Sequence, residues 1–335
     1  MICIDKHMIR LVCVLLALWL MPVSTALGQT YRVTEMNTEQ LRALDRNRTV
    51  VLLPGGILEE HGPYLPSFSD GYANERFTEE LADAISDRPG WNALVFPQIP
   101  LGSGGANEIG RKYVFDGTYA IRSATLRAVF MDLATALGEA GFQWIFVIHG
   151  HGAPTHNRAL DQAGDYFHDT YGGRMVHLAG LIPILGAADA ASETLSEQAR
   201  RDDGLAPHAG LWEHSRLLHV RPDLVNPAYR SAPDYAGTDW ESLVEIAREA
   251  DWPGYFGAPR HASAAYGARA WEAFSTAAID LALKILNGLD PTELPRLGTV
   301  TRDEPAIVAI DTDALARDTE IEDRQRAWLT QNGLE

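Results

Sequence analysis

Twice in this chain a short apolar run breaks on glycine and then delivers side chains suited to holding a metal. This pairing limits the available folds more than any other feature. Thr49–Leu53 reads as a buried strand; Pro54-Gly55-Gly56 ends it, and Glu59, Glu60, His61 and then Asp70 follow. Trp144–Ile148 reads as a second strand, followed by His149-Gly150-His151-Gly152-Ala153-Pro154-Thr155-His156-Asn157. Strands that carry chemistry just past their carboxyl ends are the habit of open α/β sheets, where sites gather at the ends of parallel strands.

The rest of the chain keeps that rhythm. Ala93–Pro97 and Arg174–Leu178 also read as strands, and helical spacing of apolar residues runs through Tyr72–Ile85, Tyr119–Ala140 and Asn157–Thr170. Strand alternating with helix predicts a mainly parallel sheet covered on both faces. A long helix over Ala262 to Leu286 is expected to pack back on the sheet. Asn157 suits the N-cap of its helix. Ala187–Pro207, with Arg200-Arg201-Asp202-Asp203-Gly204, reads as an exposed excursion. One catalytic domain is expected over Tyr31 to Asp290. The tail beyond Pro291 is polar and weakly patterned, which reads as an arm around a neighbouring subunit or a loosely ordered end.

Composition matters here mainly for what it excludes. At 335 residues and 46% hydrophobic, the chain can bury a large core, and a net charge of -17 argues against nucleic-acid or anionic-membrane partners. Met1 to Gly28 carries Lys6 and Arg10, then an apolar stretch from Leu11 to Val23, then small residues at Ser24, Ala26 and Gly28. That is the pattern of a secretory signal, with a retained anchor as the alternative, so a periplasmic or secreted location is expected. Both cysteines, Cys3 and Cys13, fall inside this segment. A mature chain would lack thiols, leaving His, Asp and Glu to hold any metal.

Residue by residue the chemistry has bland alternatives. Glu59 and His61, two apart, share a side of an extended segment, but Glu-Glu-His is common on surfaces. Asp70 could cap the helix after it or reach back to a metal. Among the histidines of the second turn, His151 reads as the ligand, and His149 and His156 as backbone-bonded. A third cluster, Pro207-His208-Ala209-Gly210-Leu211-Trp212-Glu213-His214-Ser215, reads as a loop entering a helix, with His214 facing solvent. Glu213 would sit comfortably in that helix's first turn with or without a metal. Gly150-x-Gly152 lacks the third glycine of a dinucleotide fingerprint. Gly102-Ser103-Gly104-Gly105 has the wrong spacing for a nucleophile elbow, though Ser103 is placed to line a substrate pocket.

Together the clusters resemble the creatininase (creatinine amidohydrolase) family. Pro54-Gly-Gly-Ile-Leu-Glu59-Glu60-His61-Gly62-Pro63-Tyr64-Leu65-Pro66 with Asp70, His149-Gly150-His151-Gly152, and His208-Ala209-Gly210…Glu213-His214-Ser215 carry the resemblance. Phe115-Asp-Gly117-Thr118 and Gly257-Ala-Pro259, with Ala262 to Gly267, extend it over roughly Val50 to Leu286. It implies a three-layer α/β/α sandwich, two divalent metal ions (zinc or manganese), and a homo-oligomer, often a hexamer. By match to the family's motifs, Glu59, His61, Asp70 and His151 are metal ligands, with Asp70 bridging. Glu213 is a further ligand and catalytic residue, and His208 contacts substrate or moves a proton. Tyr64, like Ser103, is expected at the substrate.

Departures from the pattern bear on substrate rather than fold. Glu60 stands for Gln, Tyr64 for His, His149 for Asn and Ala153 for Glu, and Asp202–Pro207 has no Trp. The resemblance therefore implies hydrolysis of a C–N bond in a small, non-peptide amide without implying creatinine. Deformylation or peptide trimming on the same metals is the alternative, and a non-catalytic binding protein is the rival of another class.

Overall fold

The computed structural model describes residues 27–300 and 304–334, with the side chains of 188 and 189 left aside. Five strands form one parallel sheet in the order β1-β3-β2-β4-β5: β1 (Thr30–Arg32), β2 (Thr49–Pro54), β3 (Asn92–Val95), β4 (Trp144–Ile148) and β5 (Arg174–His177). β2 is central and buried at every residue. Its side chains alternate, Val50 and Leu52 towards one core and Val51 and Leu53 towards another, which is why its sequence is an unbroken apolar run.

Helices cover both faces, making the expected three-layer α/β/α sandwich. On one face lie α1 (Ser69–Ser86) and the long α8 (Ala264–Leu286), joined by α4 (Ile182–Ala190). On the other lie α2 (Ser123–Glu139) and α3 (Pro154–Tyr171). The chain leaves β2 through α1 to reach β3, but leaves β4 through α3 to reach β5 on the opposite side. The two connections diverge between β2 and β4, so a crevice opens at their carboxyl ends.

Local differences from the expected elements have physical causes. The second helix starts at Ser123 rather than Tyr119, because the backbone N–H groups of Tyr119 and Ile121 donate to Leu58 and Gly102 O (both 2.8 Å). Those bonds hold the segment extended. α3 starts at Pro154, with Ala153 as N-cap, since proline is preset for the first helical position. Asn157 is thus inside the helix, and its Nδ2 donates to His151 O and Ala153 O at 2.8 Å each, fastening the turn.

The segment expected to be an exposed excursion holds the end of α4 and α5 (Glu197–Asp203), capped by Ser196 and seated on buried Ala199. Asp203 Oδ1 then accepts from Leu211 N (3.2 Å) and Ala258 N (2.8 Å), anchoring α6 (Leu211–Val220). Of the two readings of the tail, the loosely ordered end does not hold. Pro305–Gln331 forms a single helix, α9, following α7 (Trp240–Arg248) and α8 in chain order. Of the signal segment expected over Met1 to Gly28, Met1 to Ala26 lies outside the described residues. Among those described, no helix is long and apolar enough to cross a membrane.

Candidate metal and catalytic site

The crevice between β2 and β4 gathers the side chains that the motifs singled out. The loop after β2 brings Glu59 and His61, the first turn of α1 brings Asp70, and the turn after β4 brings His151. α6 and the loop before it add His208 and Glu213. Two close approaches hold these pieces together. Gly55 passes so near His149 that a Cβ there would lie 2.0 Å from its Nε2, and Gly267 of α8 lies so near α6 that a Cβ would meet Ser215 O at 1.8 Å. Neither position has room for a side chain.

Three imidazoles share one arrangement. His61 Nδ1 donates to Glu59 O (3.1 Å), His151 Nε2 to Gly104 O (2.8 Å) and His208 Nε2 to Glu60 O (2.7 Å). Each ring thereby spends its N–H on a backbone carbonyl and turns its other nitrogen inward, as metal-ligating histidines characteristically do. The inward nitrogens meet carboxylates. His151 Nδ1 is 3.2 Å from Glu59 Oε2 and 3.4 Å from Asp70 Oδ2; His61 Nε2 is 4.0 Å from Asp70 Oδ1 and 3.7 Å from Glu213 Oε2. His208 Nδ1 is 3.7 Å from Glu59 Oε1 and 4.0 Å from Glu213 Oε2.

Three groups of ligand atoms, each within 4.8 Å of one another, result: Glu59/Asp70/His151, His61/Asp70/Glu213 and Glu59/His61/His208. Glu59 Oε2 and His61 Nε2 are buried without a hydrogen-bond partner among the described residues. Atoms that face each other closely without bonding fit a common third atom between them. The donor set, carboxylate oxygen and imidazole nitrogen, fits zinc or manganese.

The electrostatics ask for a cation. Burial pushes Glu59 up, but His208, His151 and His61 outweigh it and hold this carboxyl down at about 2. Asp70 is likewise raised by burial yet brought well below the usual range by its bond to His151, by His61 and by Arg216. Burial lowers His151, and Glu59 and Asp70 drive it far above the ordinary imidazole value. An imidazole forced to take a proton by two carboxylates marks a place where a divalent ion would be held instead.

Sequence reasoning missed Arg216. Its Nη2 lies 3.0 Å from both Asp70 Oδ1 and Glu213 Oε1, inside the second ligand group. The available signal was its spacing, three residues past Glu213 on one helix face. His214, expected to face solvent, is fully buried: its Nδ1 donates to Gly210 O (3.1 Å), and its ring packs edge-on to Tyr64. The backbone at Ala209 is left-handed (φ 49°), a strained conformation for a residue with a Cβ, and its N–H donates to Glu213 Oε2 (2.5 Å).

A cavity of about 280 Å³ opens over this cluster, with Glu59, Asp70, His151, His208 and Glu213 in its lining. Of the three residues expected at the substrate, His208 is in that lining and Tyr64 and Ser103 lie outside it. Tyr64 packs between His214 and Tyr255 (ring centroids 6.1 and 5.9 Å away). Ser103 is buried one residue short of the wall that Gly104 and Gly105 form, and its N–H donates to His156 Nδ1 (3.3 Å). His156 and His149 stand outside the ligand groups; His156 is bonded to backbone as expected, through Ser103 N, but His149 is not. His149 itself makes no ring hydrogen bond and lies edge-on to Phe130.

An α/β sandwich whose sheet crevice holds paired carboxylate–imidazole groups defines a candidate metallohydrolase architecture. The chain belongs to the creatininase family: the family model described as creatinine amidohydrolase matches residues 34–282. Solved structures described as "Creatininase Mn" (19% identical, TM-score 0.56, covering 77% of this chain and 99% of that one) and as creatinine amidohydrolase (19%, 0.55, 76% and 97%) share the fold. Two curated relatives are described as mycofactocin precursor peptide peptidases. The one from Mycolicibacterium smegmatis is 26% identical over 199 residues, or 56% of this chain, and the one from Mycobacterium ulcerans is 27% identical over 196 residues, or 57%. The chain spans 64% and 66% of those relatives' length, less than two thirds of either.

Proposed function

We propose that this protein is a metal-dependent amidohydrolase that cleaves a C–N bond of an amide with an activated water. The observation that carries this reading is the common arrangement of His61, His151 and His208, each with its N–H fixed on a carbonyl and its free nitrogen aimed at Glu59, Asp70 or Glu213. Glu59, Asp70 and His151 would hold one divalent ion and His61, Asp70 and Glu213 a second, with Asp70 common to both. Bound there, such ions supply Lewis acidity, making a water ionisable near neutral pH and polarising a carbonyl.

The chain's own groups do the rest. Ala106 N–H, on Glu59 Oε1 (2.5 Å), and Ala209 N–H, on Glu213 Oε2, fix the two glutamates at either end of the cluster. His208 Nδ1, poised between those glutamates, accepts a proton and returns it to the leaving nitrogen. Thr118 Oγ1 donates to Glu60 Oε2 (2.5 Å), steadying the residue whose carbonyl orients His208.

The peptidase relatives favour a second reading of the substrate, a terminal peptide bond rather than a small non-peptide amide. Export is proposed from the N-terminal pattern, and self-association from the family resemblance. Metal analysis of the purified protein by inductively coupled plasma mass spectrometry tests the central claim. About two equivalents of zinc or manganese, falling in Glu59→Ala and His151→Ala, are expected. A protein that neither carries nor takes up either metal would refute it. Turnover of short peptides against cyclic amides then separates the two substrate readings.

A further inference from the structure

The cavity over the site has two kinds of wall. Its floor is the charged cluster, while its roof is apolar and comes largely from α9: Ile307, Ile310 and Ala314 face inward, and Trp240 of α7 and Ile109 close the rim. Residue 282 ends the stretch matched by the family model, so the α9 contribution is chain added beyond the family's common core.

The roof is fixed in place. Arg158 pairs with Asp311 and Arg111 Nε with Asp313 Oδ2 (2.6 Å); Arg122 pairs with Glu322 (2.6 Å), and Ser123 N and Oγ both donate to Asp318 Oδ2 (2.9 Å). Of the carboxyl groups above the cluster, Asp311 is paired with Arg158, and burial raises Glu108 to about 7. A group sitting above the cluster therefore meets mainly hydrocarbon from Ile307, Ile310, Ala314 and Trp240.

We propose that α9 is a specificity wall, and that the substrates of this site are amides whose acyl or amine part carries an apolar group directly over the cluster. This rests on the amidohydrolase reading. A small polar ring would leave Ile307 and Ile310 against water, whereas a branched or linear alkyl group would cover them, at a gain that grows with each methylene buried. Ile307, Ile310 and Ala314 are positioning residues for that group and touch no reacting atom.

Hydroxamates test the wall apart from the chemistry, because their head group chelates a metal while the tail can be lengthened. On manganese-loaded protein, calorimetry should give hexanohydroxamate at least about tenfold tighter binding than acetohydroxamate. In Ile310→Asn that advantage should shrink to less than about threefold while acetohydroxamate binding stays unchanged. Ala314→Phe, which fills the roof, should weaken the long probe alone. Acetohydroxamate binding with no advantage for the longer tail, or an advantage that survives both variants, would overturn the wall and leave the metal reading intact. Failure of both probes on a protein that takes up no metal would overturn both.

Discussion

The two sides of the candidate site share Asp70 but are backed differently. Behind the Glu59/Asp70/His151 side stand buried imidazoles kept neutral: burial holds His149 down at about 3 and His177 at about 4. Behind the His61/Asp70/Glu213 side stands Arg216, a guanidinium that cannot lose its proton at any ordinary pH. On the first side only the shared Asp70 touches that guanidinium, so Glu59 has no permanent countercharge and must be satisfied by a bound cation or a protonated histidine. The second already carries one positive charge on two of its ligands. Two ligand groups that look symmetric by residue type are unequal by electrostatics.

Removing the shared residue is the most severe way to break the contrast. Asp70→Asn should strip both positions together and lower amide turnover by more than about a hundredfold, the upper range for an outer-shell partner alone. Metal analysis beside turnover checks it, and loss of one equivalent only would show that Asp70 does not join the two sides.

The neutral backing of the first side predicts an acid limit. His177 binds its proton at about 4 when folded, against the usual 6.5, chiefly because it is buried and next because Arg296 repels the charge. The unfolded chain therefore takes up the proton first. Stability is complete above about pH 6.5 and falls as pH drops towards about 4, by about 3 kcal/mol in all from this residue. His177→Gln keeps a donor at the Nε2 position for His149 O but cannot titrate, so urea denaturation at about pH 7 and about pH 5 should show a shallower acid loss than in the parent. An equally steep loss would move the acid limit to other groups.

Arg216→Met sharpens the comparison most finely. It keeps the aliphatic bulk and removes the charge beside Asp70 and Glu213. The second equivalent of manganese, which loses the repulsion at both Asp70 and Glu213, should then gain at least about tenfold in affinity, and the first, which loses it at Asp70 alone, should gain less. Two equivalents of equal affinity in the parent protein would show that the guanidinium does not divide them.

Much of this was legible in the sequence because strand, turn and ligand occur there in series. Thr49–Leu53 and Trp144–Ile148 are apolar on both faces because they are central strands, and Gly55 and Gly56, which end the first, have no room for a side chain. The candidate ligands Glu59, His61 and His151 follow within a few residues, so reading along the chain finds them. The spacing of Arg216 from Glu213 is local, but its approach to Asp70 and the burial of His214 depend on how α6 rolls against α1 and α8, which no local pattern specifies. The tail misled for another reason. The inward face of α9 mixes Ile307, Ile310 and Ala314 with Asp311, Asp313 and Asp318, whose partners Arg158, Arg111 and Ser123 are distant in sequence. A face completed by ion pairs leaves no apolar stripe to see.

Those ion pairs have a consequence of their own. The sheet is held by buried hydrocarbon and backbone hydrogen bonds, which dissolved salt barely affects. α9 is held to it in good part by pairs that reach solvent, Arg111 with Asp313 and Arg122 with Glu322, and such pairs weaken once the ionic strength brings the Debye length near 10 Å or below. Ionic strength thus acts on the roof of the cavity and spares its floor, so the medium around the protein sets how firmly the site is closed.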